Sequence, residues 1–153
     1  MSARYETRTA EVCAALNQHG AKYVLVGASA MQLWGTTRAT RDVDILIDPS
    51  IENAGRVLAA LGELGLGFAN RLLAEEVARR PVTMVGDMPN VDILTIAWSV
   101  PYAEAQKSAT AFEVEGVQIP TASIGDLIRS KRTGRLQDAA DIEVLEEIKR
   151  LRA

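Results

Sequence analysis

Asp42-Val43-Asp44 opens an apolar run that continues through Ile45-Leu46-Ile47. Side chains alternate across a strand, so residues two apart share a face. Asp42 and Asp44 therefore point one way, and Val43 and Ile45 the other. Carboxylates this close repel unless something positive lies between them. A hard divalent cation, Mg2+ or Mn2+, is the natural neutraliser because it takes oxygen ligands. Asp92 begins a second apolar run, Val91-Asp92-Ile93-Leu94, and an aspartate buried there needs a partner. Three acids brought together can hold two cations about 3.5–4 Å apart, as in-line phosphoryl chemistry requires. Asp-x-Asp alone is a common pattern at strand ends. Asp48 has the same parity but abuts Pro49, and it reads as a turn residue.

The elements that must position these acids follow from periodicity. A first helix is predicted over about Arg4–Gln18, ended by Gly20. Lys22–Val26 reads as a buried strand. It stops at Gly27-Ala28-Ser29-Ala30, small residues leading into a short helix, Met31–Trp34, closed by Gly35. A polar loop then feeds the strand Asp42–Ile47, and Ser50 is placed to cap the next helix. That helix carries Ile51, Ala54, Val57, Leu58, Leu61 and Leu64 at helical spacing. Further along, the pattern predicts a helix over Arg71–Arg80, strands over Val82–Val85 and Val91–Ile96, and a helix over about Pro101–Ala109. A hairpin over Phe112–Ile119, turning near Gly116, precedes helices over Ser123–Thr133 and about Asp138–Leu151. The order implies one α/β (α+β) domain over residues 1–153, with a small mixed central sheet and flanking helices.

Composition narrows the function classes. With 153 residues, 48% hydrophobic and 24% charged, the chain can bury a real core. A net charge of -3 leaves no global attraction to nucleic acid or to an anionic membrane. Any polyanion must be met by a local basic patch or a bridging metal. The single cysteine, Cys13, excludes an intramolecular disulfide and fits a reducing cytoplasm. No apolar run approaches the length that spans a bilayer, and no secretory signal core is present. The expectation is a cytoplasmic protein without membrane contact.

Lys131 extends the apolar stripe of Ile124, Leu127 and Ile128, so it is directed inward. An inward lysine seeks an anion, either a protein carboxylate or a phosphate, unless it snorkels to solvent at the helix end. Arg38 and Arg41 have two readings, a clamp on phosphate or partners for Asp42 and Asp44. Asp138 reads as a helix N-cap. Trp34 and Trp98 read as core or rim packing rather than base-stacking platforms, though both flank the acids in sequence, and Cys13 reads as a buried small apolar group. His19 alone makes neither a triad nor a zinc site.

The block Tyr23–Asp48, YVLVGASAMQLWGTTRATRDVDILID, resembles the minimal bacterial nucleotidyltransferases of the polymerase-β-like superfamily. It is most similar to the abortive-infection-toxin-like and allied branches, in its strand, Gly-Gly/Ser turn, short helix and Arg-x-Thr-x-Asp-x-Asp. The resemblance implies a nucleotidyltransferase fold, a turn that cradles phosphates, and acids that hold two metals. Gly27 matches the first turn residue. The second, Gly or Ser in the family, is Ala28, with Ser29 one place later. Arg38, Thr40, Asp42 and Asp44 match, and Asp92 falls where the family has its third acid. The tail is similar too, with Lys131 on a helix where related proteins direct a lysine at the nucleotide phosphates.

The leading expectation is therefore transfer of a nucleoside monophosphate from an NTP to an acceptor hydroxyl on RNA or protein, with Mg2+ or Mn2+. Asp42, Asp44 and Asp92 would bind the metals, while Gly27, Ala28, Ser29, Arg38, Thr40 and Lys131 would bind the nucleotide. The alternative is a non-catalytic nucleotide-binding subunit, for example of a toxin–antitoxin pair, acting with a partner protein or as a homodimer. A sugar-transferring Asp-x-Asp enzyme is a more distant third, since 153 residues leave little room for its fold.

Overall fold

Tyr23–Val26 offers water no polar face, and it forms a strand (β1) buried along its whole length. Asp42–Ile47 (β2) runs antiparallel to it, pairing Val26 with Asp44 and Tyr23 with Ile47. The computed structural model describes residues 2–37, 40, 42–86 and 89–153, with backbone alone at 2–7, 67 and 68. Arg38 and Arg41 lie outside the described residues.

The remaining strands are β3 (Val82–Val85), β4 (Asn90–Leu94), β5 (Ile96–Ala97), β6 (Val100–Pro101), β7 (Thr110–Val114) and β8 (Val117–Thr121). The helices are α1 (Ser2–Gln18), α2 (Gly27–Trp34), α3 (Ile51–Glu63), α4 (Ala74–Arg79), α5 (Tyr102–Ser108), α6 (Ile124–Ser130) and α7 (Leu136–Arg152). Six strands make one mixed sheet in the order β3-β4-β2-β1-β8-β7, and β5 and β6 form a small separate hairpin. β2 pairs parallel with β4, and β1 parallel with β8. The fold is α+β, as the mixture of patterns predicts.

One sheet face carries Val43, Ile45, Ile47, Val91 and Ile93, all buried. They join Val57, Leu58 and Leu61 of α3 and Val12 and Leu16 of α1 in one core cluster. Burying each such side chain contributes about 1.5–3 kcal/mol. Because the period is two, this packing turns Asp42, Asp44, Asn90 and Asp92 to the opposite face. A polar pin ties α3 to the sheet. Asn53, only 3% exposed, accepts from the Lys22 amide at 2.7 Å and donates to the Lys22 and Asp48 carbonyls at 3.0 and 2.8 Å. Ser50 caps the same helix, its hydroxyl accepting from the Asn53 amide at 3.1 Å.

Several boundaries differ from expectation. Lys22 stays outside β1, its amide donating to Asn53 Oδ1 while its carbonyl accepts from Asn53 Nδ2 and the Asp48 amide. The predicted helix over Arg71–Arg80 divides into a 3-10 turn, Gly67–Arg71, and α4, since Leu72 and Leu73 between them are extended. The predicted strand Val91–Ile96 ends at Leu94; the Thr95 amide still bonds Pro81, its opposite in the β3–β4 register, and Ile96 opens β5. Asp138 does not cap α7. Gly134, at φ 87°, turns the chain early, so Arg135 becomes the N-cap and Asp138 lies in the first turn. Among the described residues no helix is long and apolar enough to cross a membrane.

Candidate carboxylate site

The parallel register of β2 and β4 sets Asp44 directly beside Asp92, and Asp42 beside Asn90. Four polar side chains thus share one face across two strands. The Asp44 and Asp92 carboxyls are near enough for each to feel the other's charge. Asn90 Nδ2 donates to Asp92 Oδ1 at 3.2 Å. Burial pushes the Asp44 carboxyl up to about 7 from its ordinary 3.8, and the charges of Asp92 and Asp42 push the same way. Lys131 opposes them. The face carries more negative charge than its surroundings neutralise.

Gly27 explains how a helix starts so close to this charge. It turns the chain from β1 into α2 at φ 69°, where side chains are disfavoured. A methyl group in its place would overlap Asp44 Oδ2 and lie 2.8 Å from its Cγ. The start of α2 therefore packs directly onto the acid, with no side chain between. The amides of Gly27, Ala28 and Ser29 occupy first-turn positions, which have no intrahelical acceptor. No side chain caps this end. The Ser29 side chain is turned away: the residue is 2% exposed, and its hydroxyl donates to the Val26 carbonyl at 3.3 Å. What Ser29 offers the site is its backbone. Thr40 likewise has an internal task, its hydroxyl accepting from the Asp42 amide at 2.9 Å where β2 begins.

Lys131 follows α6 as its C-cap, and its side chain is 14% exposed. Of the readings open from the sequence, the protein anion is the one observed. Nζ lies 2.9 Å from Asp141 Oδ2 and 3.7 Å from Asp138 Oδ1. Asp138 also accepts from the Thr133 hydroxyl, and from Arg135 Nε at 2.9 Å. Burial alone would raise the Asp138 carboxyl, but Thr133, Lys131 and Arg135 outweigh it and hold it below the ordinary carboxylate range. α7 thus presents two acids that fix Lys131 beside the site.

A cleft of about 210 Å³ joins these parts, lined by Gly27, Asp44, Trp98, Lys131, Arg135 and Asp138 among others. Of the three acids only Asp44 lines it; Asp92 and Asp42 act on Asp44 through their charges. Among the described residues no three acids, histidines or cysteines stand within metal-holding distance of one another. Asp42, Asp44 and Asp92 offer only carboxylate oxygen, the donor type that Mg2+ or Mn2+ takes. Sequence reasoning missed Asn90, whose parity with Asp92 was the available signal. Trp98, read as core or rim packing, is outside the core, 59% exposed at the edge of the cleft. Trp34 does pack: its ring meets Phe112 edge-on at 5.0 Å, and Nε1 donates to the Ala122 carbonyl at 2.9 Å.

No family model and no curated protein matches the chain.

Proposed function

We propose that the chain is a nucleotidyltransferase-fold enzyme moving a nucleoside monophosphate from an NTP to an acceptor hydroxyl on RNA or protein, with Mg2+ or Mn2+. The observation carrying this reading is Asp44 beside Asp92 on neighbouring parallel strands, against a helix start whose first residue has no side chain. Asp42, Asp44 and Asp92 would hold the metal, which when bound neutralises phosphate charge and polarises the phosphoryl group. The Gly27–Ser29 amides at the start of α2 bind the terminal phosphate oxygens. Lys131 adds a positive charge on the same side of the cleft. An Asp92 carboxylate oxygen takes the proton of the acceptor hydroxyl. The acceptor oxygen then bonds to the α-phosphorus as the bond to the bridging oxygen breaks and pyrophosphate leaves.

One observation favours a second reading, a nucleotide-binding subunit of the toxin–antitoxin kind. Ala28 has no hydroxyl and that of Ser29 is spent on the Val26 carbonyl, so the turn offers a phosphate its amides alone. A single experiment divides the two. Purified protein is incubated with each radiolabelled NTP, Mg2+ or Mn2+, and a cell extract supplying RNA and protein acceptors. An enzyme labels an acceptor, and Asp92→Asn abolishes the label while keeping much of the NTP affinity. Normal NTP binding with no label under any condition leaves the binding subunit standing.

A further inference from the structure

Trp98 sits where local folding would select another residue. It is the first residue of the two-residue loop joining β5 to β6, at φ 58°. Two-residue hairpin loops require positive φ, and Gly, Asn or Asp supply it with least steric cost. A bulky aromatic residue there is an outlier. Burial does not compensate, since the residue is 59% exposed. A conformation that costs energy, carrying a large apolar ring into water, points to a role outside folding.

The ring's position says which role. Trp98 lines the cleft that holds Gly27, Asp44 and Lys131. At about 210 Å³ the cleft is smaller than the roughly 300–1,000 Å³ common for small-molecule sites. A triphosphate held at the α2 amides and Lys131 therefore leaves its nucleoside at the rim. Trp98 is the exposed aromatic ring there, and an indole face accepts any base by stacking.

Resting on the nucleotide site proposed above, we propose that Trp98 is the platform on which the nucleobase of the bound NTP stacks, making it a specificity-determining residue that favours purines over pyrimidines by their larger stacking area. Stacking of this kind accounts for roughly tenfold to hundredfold in affinity per base.

The test compares Trp98→Gly and Trp98→Phe with wild type by calorimetric titration of Mg2+–ATP, Mg2+–CTP and Mg2+–tripolyphosphate, with melting temperatures in parallel. Glycine suits the loop, so Trp98→Gly should melt no lower than wild type. It should lose roughly tenfold to hundredfold in ATP affinity, less in CTP affinity, and nothing in tripolyphosphate affinity. Trp98→Phe should restore most of the ATP affinity. ATP should quench indole fluorescence in wild type but not in Trp98→Phe, where only Trp34 remains. Unchanged ATP affinity in Trp98→Gly, with tripolyphosphate still bound, overturns the platform and leaves the nucleotide site intact. A lowered melting temperature with unchanged ATP affinity assigns Trp98 to packing. Wild type that binds neither ATP nor tripolyphosphate overturns the nucleotide site and the platform together.

Discussion

Asp44→Asn keeps the shape of the side chain and removes its charge, so it measures what that charge costs the fold. In the metal-free protein the carboxyl is pushed from 3.8 to about 7, by burial first and by Asp92 and Asp42 after it. Each unit corresponds to about 1.4 kcal/mol, so ionising Asp44 at alkaline pH costs on the order of 4 kcal/mol as an upper bound. Relaxation of the site and its contact with water reduce this, and the expected gain for the variant is about 1–3 kcal/mol at pH about 8. For a chain of this size each kcal/mol moves the melting temperature by about 2–4 °C.

The direction with pH is fixed by the raised value. The folded protein holds a proton that the unfolded chain releases near pH 3.8. Stability linked to Asp44 is therefore complete below pH about 4 and is lost as pH rises through about 7. The asparagine variant has no such loss, so its advantage should grow from near zero at pH about 4 to a plateau above pH about 7. Acid destabilisation through Asp138, whose carboxyl is lowered, is common to both proteins and cancels in the difference. Urea unfolding of both proteins across this range, in chelator, measures the curve. A variant no more stable than wild type at pH about 8, or an advantage independent of pH, refutes the reasoning.

Saturating Mg2+ should reverse the ranking at that pH, stabilising wild type by mass action and Asp44→Asn far less. Because a ligating carboxyl must lose its proton, apparent Mg2+ affinity should rise with pH up to about 7 and then level off, as read by calorimetry. Gly27→Ala should lose about 1–3 kcal/mol to strain at positive φ and displace Asp44, so a melt and an Mg2+ titration should both weaken. Lys131→Ala removes the cation shared by Asp138 and Asp141 and should cost about 3 kcal/mol in urea unfolding, with weaker NTP binding beside it. Asn53→Ala strands the Lys22 amide and the Asp48 carbonyl and should cost about 3 kcal/mol, yet leave Mg2+ affinity unchanged.

The sequence made part of this site legible because the relevant physics is local. Alternation along Asp42–Ile47 is enough to place Asp42 and Asp44 on one face, and the apolar residues between them say which face is covered. The Ser50 cap and the Gly35 helix end follow from residue type in the same way. Asp92 is different. Its own strand is readable, but its neighbour depends on a parallel pairing between segments distant in the chain, which no periodicity reports. Only the resemblance supplied that expectation, and the β2–β4 register agrees with it. Asn90 entered the site through the same register. The split of Arg71–Arg80 and the early end of β4 were hidden because neither Leu72 and Leu73 nor Thr95 marks a break by residue type. Residue type alone leaves Trp98 between core and rim, because its exposure depends on a hairpin turn.

Buried polar groups in this fold fall into two kinds, and the contrast separates scaffold from site. Asn53 is buried with its side-chain amide and carbonyl engaged by backbone partners at 2.7–3.0 Å, so its burial stabilises. Asp44 is partly buried against a second acid and pushed towards neutrality, so its placement works against folding whenever it ionises. Gly27 gives up a side chain next to that same acid, and Trp98 holds a disfavoured φ in water. Asp44, Gly27 and Trp98 all line a single cleft. Glu115, at φ 51° in the β7–β8 turn, is a disfavoured backbone elsewhere, but the cleft is where a destabilised acid and a strained aromatic meet. On the proposed function, an anion that carries its own divalent cation would engage all three at once. The cation would neutralise Asp44, the phosphate would take the helix amides that Gly27 leaves accessible, and an attached base would cover the indole.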